Sequence, residues 1–274
     1  MALYIVPTPI GNLGDITRRA VEVLGRVDFI IAEDSRYSQK LLNHLQLKKK
    51  IISHYRPKEE TQAEKIVALL KNQDGALITD SGTPAISDPG FILIGKAIAL
   101  HIPVIPLPGP TAFIPALVAS GIDPQRFIFL GFPPRRQSDL RRFFKSLAPL
   151  PYTMVFYESP RRVENFLQSA AAIFGERRFA LTKELSKKHE KIIRGRLDEW
   201  PAALKDETIL GEIVMIIAGN PQPLQSLEPA PNLQSSEDIY AYFRERHGLG
   251  KNQLKRILMK KKDKKAAKRN TNGR

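Results

Sequence analysis

LITDSGTPAISDPG, residues 77–90, begins as a short apolar strand and continues as a loop rich in Gly, Pro and Asp. The run from Ala76 to Ile78 is apolar and is followed by breakers, which is typical of a strand buried on both faces. Two prolines fix φ and two glycines permit unusual backbone angles, so the loop has a defined shape. Asp88 followed by Pro89 is also an ordinary helix start, and on this interpretation the loop is only a capped turn.

Segments with strand and helix patterns alternate before and after this loop. The preceding segments, in the order strand, helix, strand, helix, strand, helix, are ALYIVPTP, DITRRAVEVLGRV, DFIIAEDS, SQKLLNHL, KIISHY and ETQAEKIVALLKNQ. We expect Asp15 to cap the first helix. A helix over 90–100, the strand PVIPLPG and a helix after Pro110 follow the loop. This alternation predicts an N-terminal α/β domain with a mainly parallel sheet over residues 1–120.

The second half of the chain contains more strands and shorter helices. Helices are expected near 138–147 and over 161–174, between the strand-like segments RFIFLGF, YTMVFYES, RRFALTKEL, EKIIRGRL and GEIVMIIAG. We predict a mixed α/β domain over residues 121–222, with a ligand cleft between the two domains. A Pro-rich linker follows over residues 223–236. Residues 237–274 are predicted to form a small basic helical appendage whose end is disordered.

The composition limits the classes of function. The 274 residues are 42% hydrophobic and 26% charged, which is sufficient for two domains with their own cores. No stretch approaches a membrane span and the first residues lack the features of a signal peptide, so we expect a cytoplasmic protein. The absence of cysteine excludes disulfides, thiolate catalysis and cysteine-based zinc sites. The five histidines are scattered, and we predict no metal site.

Most of the net charge lies at the carboxyl end of the chain. Residues 251–274 contain eleven Lys or Arg and one Asp, which accounts for +10 of the net charge of +15. Such a cluster attracts phosphate through counterion release, so nucleic acid is the favoured partner. The alternative is a solvated tail that increases solubility.

Five polar, breaker-rich motifs each follow a strand: PTPIGN, EDSR, DSGTPAISDPG, PGPTA and YESPRR. Ligands of open α/β sheets bind at the carboxyl ends of the strands, so we expect all five loops to meet at one cleft. There is no GxxxxGK[ST] and no GxGxxG, which disfavours a P-loop and an ordinary dinucleotide fold. Backbone groups, small side chains and nearby carboxylates suit an adenine and an amino acid. S-adenosylmethionine fits this surface, although the residues alone do not select it.

The chain resembles the tetrapyrrole methylase superfamily and, within it, the ribosomal RNA small subunit methyltransferase I group. The resemblance rests on VPTPIGNLGD, AEDSR, TDSGTPAISDPG, PLPGPTA, GFPPR, FYESPRR and ELSKKHE, in that order over residues 4–219. It implies a homodimer of two-domain α/β chains that binds S-adenosylmethionine between the domains. It also implies methylation of the ribose 2′-hydroxyl of a cytidine in the decoding region of small-subunit ribosomal RNA.

The resemblance implies a set of cofactor-binding residues in two motifs. SGTPAIS occupies the place of the superfamily's Gly-Asp-Pro cofactor loop, and PGPTA lies on the opposite side of the cofactor. The implied residues are Gly82, Thr83, Pro84, Ile86, Thr111 and Ala112, with Asp80 close by. Thr83 stands where tetrapyrrole enzymes usually have Asp, so Asp80 is the candidate to replace that carboxylate.

The implied reaction is an in-line attack of a ribose oxygen on a methyl carbon, in which positioning contributes most of the catalysis. A base or a lysine beside the weakly acidic hydroxyl would assist. The candidates in the motifs are Glu33, Asp34, Glu158, Lys183 and Glu184. Three of them have structural alternatives, in which Asp34 caps the next helix, Glu158 pairs with Arg161 and Lys183 is a surface charge.

Five arginines in the motif loops are candidates for RNA binding, because guanidinium groups can grip phosphates bidentately. They are Arg36, Arg135, Arg136, Arg161 and Arg162. Two other classes of function stay open: a tetrapyrrole methyltransferase, which would need a large apolar cleft, and a non-catalytic RNA-binding protein, which would need only the tail. Free ribosomal RNA and the assembled small subunit are both possible substrates.

Overall fold

The computed structural model describes residues 1–55 and 59–221 of the chain. The predicted linker and the predicted basic appendage lie outside the described residues. Within the described part there are two five-stranded sheets, and both belong to one compact unit, Met1–Pro223. No described helix is long and apolar enough to cross a membrane.

The first sheet is entirely parallel, with the strand order β3-β2-β4-β1-β5. Its strands are β1 (Leu3–Ile5), β2 (Phe29–Ala32), β3 (Lys50–Ser53), β4 (Gly75–Leu77) and β5 (Val104–Pro106). The predicted strand at the start of the opening loop is β4, the central strand, and its three residues are buried. The prediction of an α/β fold with a parallel sheet is confirmed.

Helices cover both faces of the first sheet. They are α1 (Arg18–Arg26), α2 (Ser35–His44), α3 (Glu59–Leu70) and α4 (Phe91–Ala99), and a fifth helix, α5 (Phe113–Ala119), follows β5. Because side chains alternate along a strand, Tyr4 and Ile30 pack with α1 and α2, whereas Leu3 and Phe29 pack with α3 and α4. The continuous apolar runs of β2 and β4 follow from burial on both faces.

The cap predicted for the first helix was wrong. Thr17 caps α1, because its side-chain oxygen accepts a hydrogen bond from the Ala20 backbone N–H at 3.0 Å. Asp15 instead ends a short 3₁₀ turn, Leu13–Asp15, that Asn12 caps. Thr17 has the extended backbone that a capping residue needs, and it lies directly before the first helical residue.

The helix cap at Asp88, weighed as an alternative from the sequence, does not form. The helix begins at Phe91, and Glu59 Oε1 accepts hydrogen bonds from the backbone N–H of Gly90 at 2.9 Å and of Ile92 at 3.4 Å. Asp88 instead accepts a hydrogen bond from the Thr79 hydroxyl at 2.8 Å, which closes the opening loop on its own strand end. The loop is therefore more than a capped turn.

The second sheet is mixed, with the strand order β6-β7-β10-β8-β9. Its strands are β6 (Phe127–Phe129), β7 (Thr153–Glu158), β8 (Arg178–Lys183), β9 (Lys191–Arg196) and β10 (Ile213–Ile217). Only the β6–β7 pair is parallel. The accompanying helices are α6 (Gln137–Leu147), α7 (Val163–Phe174) and α8 (Trp200–Ala203). The predicted mixed sheet is confirmed, while the domain boundary predicted at residue 120 stays a prediction.

Helix α5 connects the two sheets. It follows the last strand of the first sheet, but Ala116 and Leu117 pack against Val155, Val214 and Ile216 of the second sheet. The other face of the second sheet packs on α6 and α7 around a cluster of phenylalanines. Because α5 begins in the loop after β5, its packing brings the carboxyl edge of the first sheet close to that of β7.

Candidate functional site

A cavity of about 350 Å³, here called the main cavity, lies where the loops after β1, β4, β5 and β7 meet. Residues 81–83 and 86–88 of the opening loop form one wall, and Thr111 and Ala112 lie beside them. The opposite wall consists of residues 157–160, the start of β10 and Phe132. The volume is within the usual range for small-ligand sites, roughly 300–1,000 Å³.

The opening loop is fixed to the loops on either side of it. Gly82 and Thr8 exchange two backbone hydrogen bonds of 3.0 and 2.9 Å, and the Thr83 hydroxyl donates to the Pro110 carbonyl at 2.9 Å. Gly82 has a φ of +87°, which favours glycine, and it is buried. Ala85 and Ser87 also have positive φ values, 67° and 68°. Strained backbone held in place by its surroundings is often associated with ligand sites.

The wall from the second sheet is aromatic. Tyr157 lies between Phe129, with ring centroids 5.0 Å apart, and Phe132, at 5.5 Å. Phe129 stacks in turn on Phe113, the first residue of α5, at 4.6 Å. Burial raises the pKa of the Tyr157 hydroxyl, although a hydrogen bond with Thr111 opposes the shift. This wall is aromatic, and the Tyr157–Thr111 hydrogen bond links it to the loop after β5.

Glu158 is a buried carboxylate on the main cavity. Its side chain is 1% exposed, Oε1 accepts from the Ser159 backbone N–H at 2.8 Å, and Oε2 lies 3.2 Å from Nη2 of Arg162. That ion pair lacks hydrogen-bond alignment, so Oε2 has no hydrogen-bond donor among the described residues. Burial raises the pKa of Glu158, while the Ser159 amide and the Arg162 charge oppose the shift. Oε2 therefore retains the capacity to accept a hydrogen bond.

The partner of Glu158 is Arg162 and not Arg161, the pairing weighed as an alternative from the sequence. Arg162 also donates to the carbonyls of Pro133 and Pro134, at 3.3 and 2.8 Å. With these contacts the Arg162 side chain is 23% exposed. Arg162 thus links the YESPRR loop to the GFPPR loop, whereas Arg161 is exposed.

A second, more open pocket of about 430 Å³, here called the polar pocket, lies at the same sheet edge. Its lining residues are Glu33, Asp34, Ser35, Arg36, Ser53 and Asp80. Asp34 caps α2 by accepting from the Arg36 backbone N–H at 2.8 Å, and this hydrogen bond lowers the pKa of Asp34. Burial raises the pKa of Asp80, and the charges of Asp34 and Asp88 add to the increase.

The predicted site residues therefore divide between two surfaces. The main cavity receives Gly82, Thr83, Ile86, Thr111, Ala112 and Glu158. The polar pocket receives Glu33, Asp34, Arg36 and Asp80. The prediction that all five loops meet at one cleft was wrong for EDSR, because β2 and β1 lie on opposite sides of β4.

Besides Arg162 and Glu184, three groups of predicted residues line neither surface. Pro84 is buried within the opening loop. Lys183 Nζ donates to the Thr208 carbonyl at 2.7 Å and lies 3.3 Å from Glu207 Oε2. The remaining arginines are exposed on the motif loops, and they are Arg135, Arg136 and Arg161. Lys183 thus has a structural ion pair, which the sequence did not indicate.

Sequence reasoning missed the contribution of β10 and of two aromatic residues. Gly211, Glu212 and Ile213 line the main cavity because β10 is antiparallel to β7, so its first residues lie beside Glu158. This segment precedes a strand, whereas the predicted site residues lie in motifs that follow strands. Tyr157 and Phe132 lie inside the motifs FYESPRR and GFPPR, in which only charged residues were predicted as site residues. Within the described residues, no group of three or more His, Asp or Glu residues is arranged to hold a metal ion.

Comparison with known proteins assigns this arrangement to a class. Residues 2–201 match the family model described as Tetrapyrrole (Corrin/Porphyrin) Methylases. A uroporphyrin-III-C-methyltransferase from Thermus thermophilus shares the fold, with a TM-score of 0.57 and 18% identity over 79% of this chain and 94% of that chain. A diphthine synthase gives a TM-score of 0.62 and 14% identity over 80% and 90%. The chain belongs to the tetrapyrrole methylase family.

Curated relatives narrow the assignment within that family. One from Hydrogenobaculum sp. is 45% identical over 222 residues, which are 80% of this chain and 96% of the relative. One from Bacillus subtilis is 39% identical over 219 residues, which are 80% and 75% of the two chains. Both are named Ribosomal RNA small subunit methyltransferase I. It is to this group of tetrapyrrole methylases that the chain belongs.

Proposed function

We propose that the protein uses S-adenosylmethionine to methylate the ribose 2′-hydroxyl of a cytidine in the decoding region of small-subunit ribosomal RNA. The observation that carries the proposal is the meeting of four motif loops on one ligand-sized cavity, in a chain whose curated relatives are named for this RNA. The protein would act in the cytoplasm as a homodimer, on ribosomal RNA either free or within the small subunit.

The main cavity has the features that the methyl donor requires. Gly82 and Thr83 present backbone and a small side chain on one wall, and Thr111 and Ala112 extend the same wall. The aromatic wall opposite, with Tyr157, excludes water from the reacting centre. When bound, S-adenosylmethionine supplies a methyl group on a positively charged sulfur. Glu158 Oε2 has no hydrogen-bond donor among the described residues. A ligand with a hydroxyl or amine group in this cavity could supply that donor.

Glu158 is the residue that we assign to the proton of the attacking ribose hydroxyl. It is the one predicted catalytic residue on the main cavity, since Glu33 and Asp34 line the polar pocket and Lys183 pairs with Glu207. A carboxylate whose pKa is raised by burial is a better base than an exposed one. As the ribose oxygen bonds to the methyl carbon and the carbon–sulfur bond of the donor breaks to leave a neutral thioether, the hydroxyl proton would pass to Glu158 Oε2. Arg162 holds the carboxylate in place throughout.

The RNA would approach across the exposed arginines. Arg135, Arg136 and Arg161 form no ion pair within the described residues, so their guanidinium groups are available to phosphates. Arg36 lies apart from them on the polar pocket, with its side chain 92% exposed. The basic carboxyl-terminal segment would add affinity that falls with salt.

The test is to map ribose methylation in small-subunit RNA from cells with and without the gene, then restore it with purified protein and labelled S-adenosylmethionine. Loss of one 2′-O-methyl mark at a decoding-region cytidine, and its restoration in vitro, are expected. Transfer of the label to a porphyrin or corrin precursor and not to RNA would instead identify a tetrapyrrole methyltransferase. Purified protein that binds subunits but no cofactor would support the non-catalytic alternative.

A further inference from the structure

Phe132 is a large aromatic side chain exposed at a ligand cavity. It is 61% exposed, yet it lines the main cavity and its ring lies 5.5 Å from that of Tyr157, at an interplanar angle of 56°. Tyr157 is only the nearest member of a longer aromatic series that continues into the protein through Phe129 and Phe113. One side of the Phe132 ring thus rests on protein and much of the rest faces solvent.

The loop that carries Phe132 is fixed on both sides of it. Before it, the Gly131 carbonyl accepts a hydrogen bond from the Tyr157 backbone N–H at 3.0 Å, and Gly131 has a φ of +59°. After it, the carbonyls of Pro133 and Pro134 accept from Arg162. An exposed apolar ring on a loop held in this way has a fixed position before any ligand binds, and this reduces the entropy lost on binding.

Two cations follow Phe132 in the same loop, after two prolines. Arg135 and Arg136 are exposed and form no ion pair within the described residues. Aromatic rings beside such cations are the usual means of holding single-stranded nucleic acid, because bases stack on the ring while phosphates meet the charges. A nucleotide whose ribose reacts in a cavity must leave its helical stack, and its base then needs a new surface.

We propose that Phe132 is the stacking surface for the base of the nucleotide whose ribose is methylated, with Arg135 and Arg136 on the flanking phosphates. This inference rests on the proposed function and adds the subsite that receives the flipped nucleotide. Phe132 is a positioning residue, since it orients the ribose towards Glu158 and takes part in no bond that forms or breaks. Stacking is tolerant of the base, so Phe132 would add affinity more than selectivity.

The experiment compares Phe132→Ala, Phe132→Leu and Phe132→Trp in methylation of small subunits from cells that lack the gene. We expect Phe132→Ala to lower kcat/KM by about 5- to 150-fold, the usual range for one stacked base. Phe132→Leu should lose most of that activity, because it keeps apolar bulk without a ring face, and Phe132→Trp should retain it. Phe91→Ala is the matched control, because Phe91 is 80% exposed but does not line the cavity.

Cofactor affinity, measured by calorimetry on the same variants, separates the outcomes. An unchanged Kd for S-adenosylmethionine together with reduced kcat/KM on subunits supports the proposal. A parallel loss of cofactor affinity would mean that the ring packs against the cofactor, and would overturn it. Unchanged kinetics in Phe132→Ala, with or without a lower Tm, would also overturn it. If wild-type protein binds cofactor but methylates no subunit, the proposed function itself is wrong and this inference falls with it.

Discussion

The main cavity and the polar pocket lie at the same edge of the first sheet, yet they differ in almost every respect. The main cavity has a buried carboxylate, an aromatic wall and a fixed loop of small residues. The polar pocket is lined by carboxylates, serines and one arginine, and it is more open to solvent. Both begin from the same sequence signal, a polar loop directly after a buried strand.

Coverage by the second sheet accounts for the difference. The loop after β4 lies between the two surfaces, with Asp80 on the polar pocket and residues 81–83 on the main cavity. Packing of α5 brings the aromatic wall of the second sheet over the loops of β1, β4 and β5, while the loop after β2 lacks such a cover. A loop at the carboxyl edge thus becomes a closed site only where another layer faces it.

The strongest test of this contrast is Glu158→Gln. If the main cavity performs the chemistry, removing the proton acceptor should lower kcat by about 10²- to 10⁴-fold, the usual range for a general base. Burial raises the pKa of Glu158, so wild-type activity should fall as the pH decreases through a value above that of an ordinary glutamate. Single-turnover methylation of small subunits between pH 5 and 8 measures both effects.

The control for this substitution is Glu207→Gln, which removes another ion-paired carboxylate, 14% exposed, away from the main cavity. Its kcat, and the decrease of its activity at low pH, should match those of the wild type. If Glu158→Gln keeps a third or more of the wild-type kcat, Glu158 is not the acceptor of the ribose hydroxyl proton. The carboxylates of the polar pocket would then be the next candidates.

The second prediction concerns cofactor binding, and it uses Gly82→Val. A Cβ at Gly82 would lie 3.5 Å from Ile10 Cγ2, so the valine methyl groups would fill space on the cavity wall. We expect affinity for S-adenosylmethionine to fall about 10- to 100-fold. The positive φ of Gly82 also adds strain, on the order of 1–3 kcal/mol, so Tm should decrease as well.

Gly121→Val separates strain from steric exclusion. Gly121 has a φ of +72°, but nothing lies within 4 Å of a Cβ built there, and it does not line the main cavity. It should lower Tm while leaving the calorimetric Kd for the cofactor unchanged. If the two variants lose cofactor affinity equally, Gly82 acts through backbone stability and not by lining the site.

Much of the fold was predictable because its signals are local. Short apolar runs bounded by Gly, Pro or Asp became strands of the first sheet, and the second half proved richer in strand as expected. Caps were less predictable, since several side chains near a helix start can accept the same N–H. Thr17 replaced Asp15 as a cap, and Glu59 took the place of Asp88 from another helix.

The residues of the candidate site were predictable where they belong to local motifs, but not where their position depends on how distant segments are arranged in the fold. Gly82, Thr83 and Thr111 followed from the motif loops, but the separation of the EDSR loop depends on the strand order of the sheet, which no local pattern contains. The contribution of Glu212 depends on the antiparallel pairing of β10 with β7. The exposed position of Phe132 likewise depends on how the loop is fixed after folding.

The third prediction assigns the polar pocket a role in RNA contact through Arg36→Gln. Because Arg36 is exposed and its ion pair with Asp34 is long, 3.7 Å, its guanidinium can reach a phosphate. Removing one phosphate contact should reduce the log–log salt slope of subunit binding by about 0.7–0.9 and leave the cofactor Kd unchanged. Arg18→Gln, which removes an equally exposed and ion-paired arginine on α1, should change neither. If Arg36→Gln leaves the salt slope of subunit binding unchanged, the polar pocket does not contact the RNA.

The smallest expected effect concerns stability beneath the polar pocket. His54 follows Ser53, a lining residue, and it is buried with no hydrogen bond to either ring nitrogen among the described residues. Burial lowers the pKa of His54 below the ordinary value of 6.5, although the Glu59 carboxylate, 3.8 Å away, opposes the shift. In the unfolded chain the His54 imidazole therefore becomes protonated at a higher pH than in the folded protein. Because protonation then favours the unfolded chain, stability should be lost as the pH falls below 6.5.

His54→Met, of similar volume, should remove this pH dependence. Between pH 7.5 and 5.5 we expect the wild-type Tm to fall about 2–4 °C further than that of the variant, which corresponds to roughly 1 kcal/mol for a chain of this size. His44→Gln, at an exposed position on α2, serves as the control and should follow the wild type. Equal decreases in Tm for wild type and His54→Met would exclude His54 as the source. Calorimetric scans of the three proteins make this comparison, and Asp80 would not account for such a decrease, because its raised pKa makes its contribution to stability greatest at low pH.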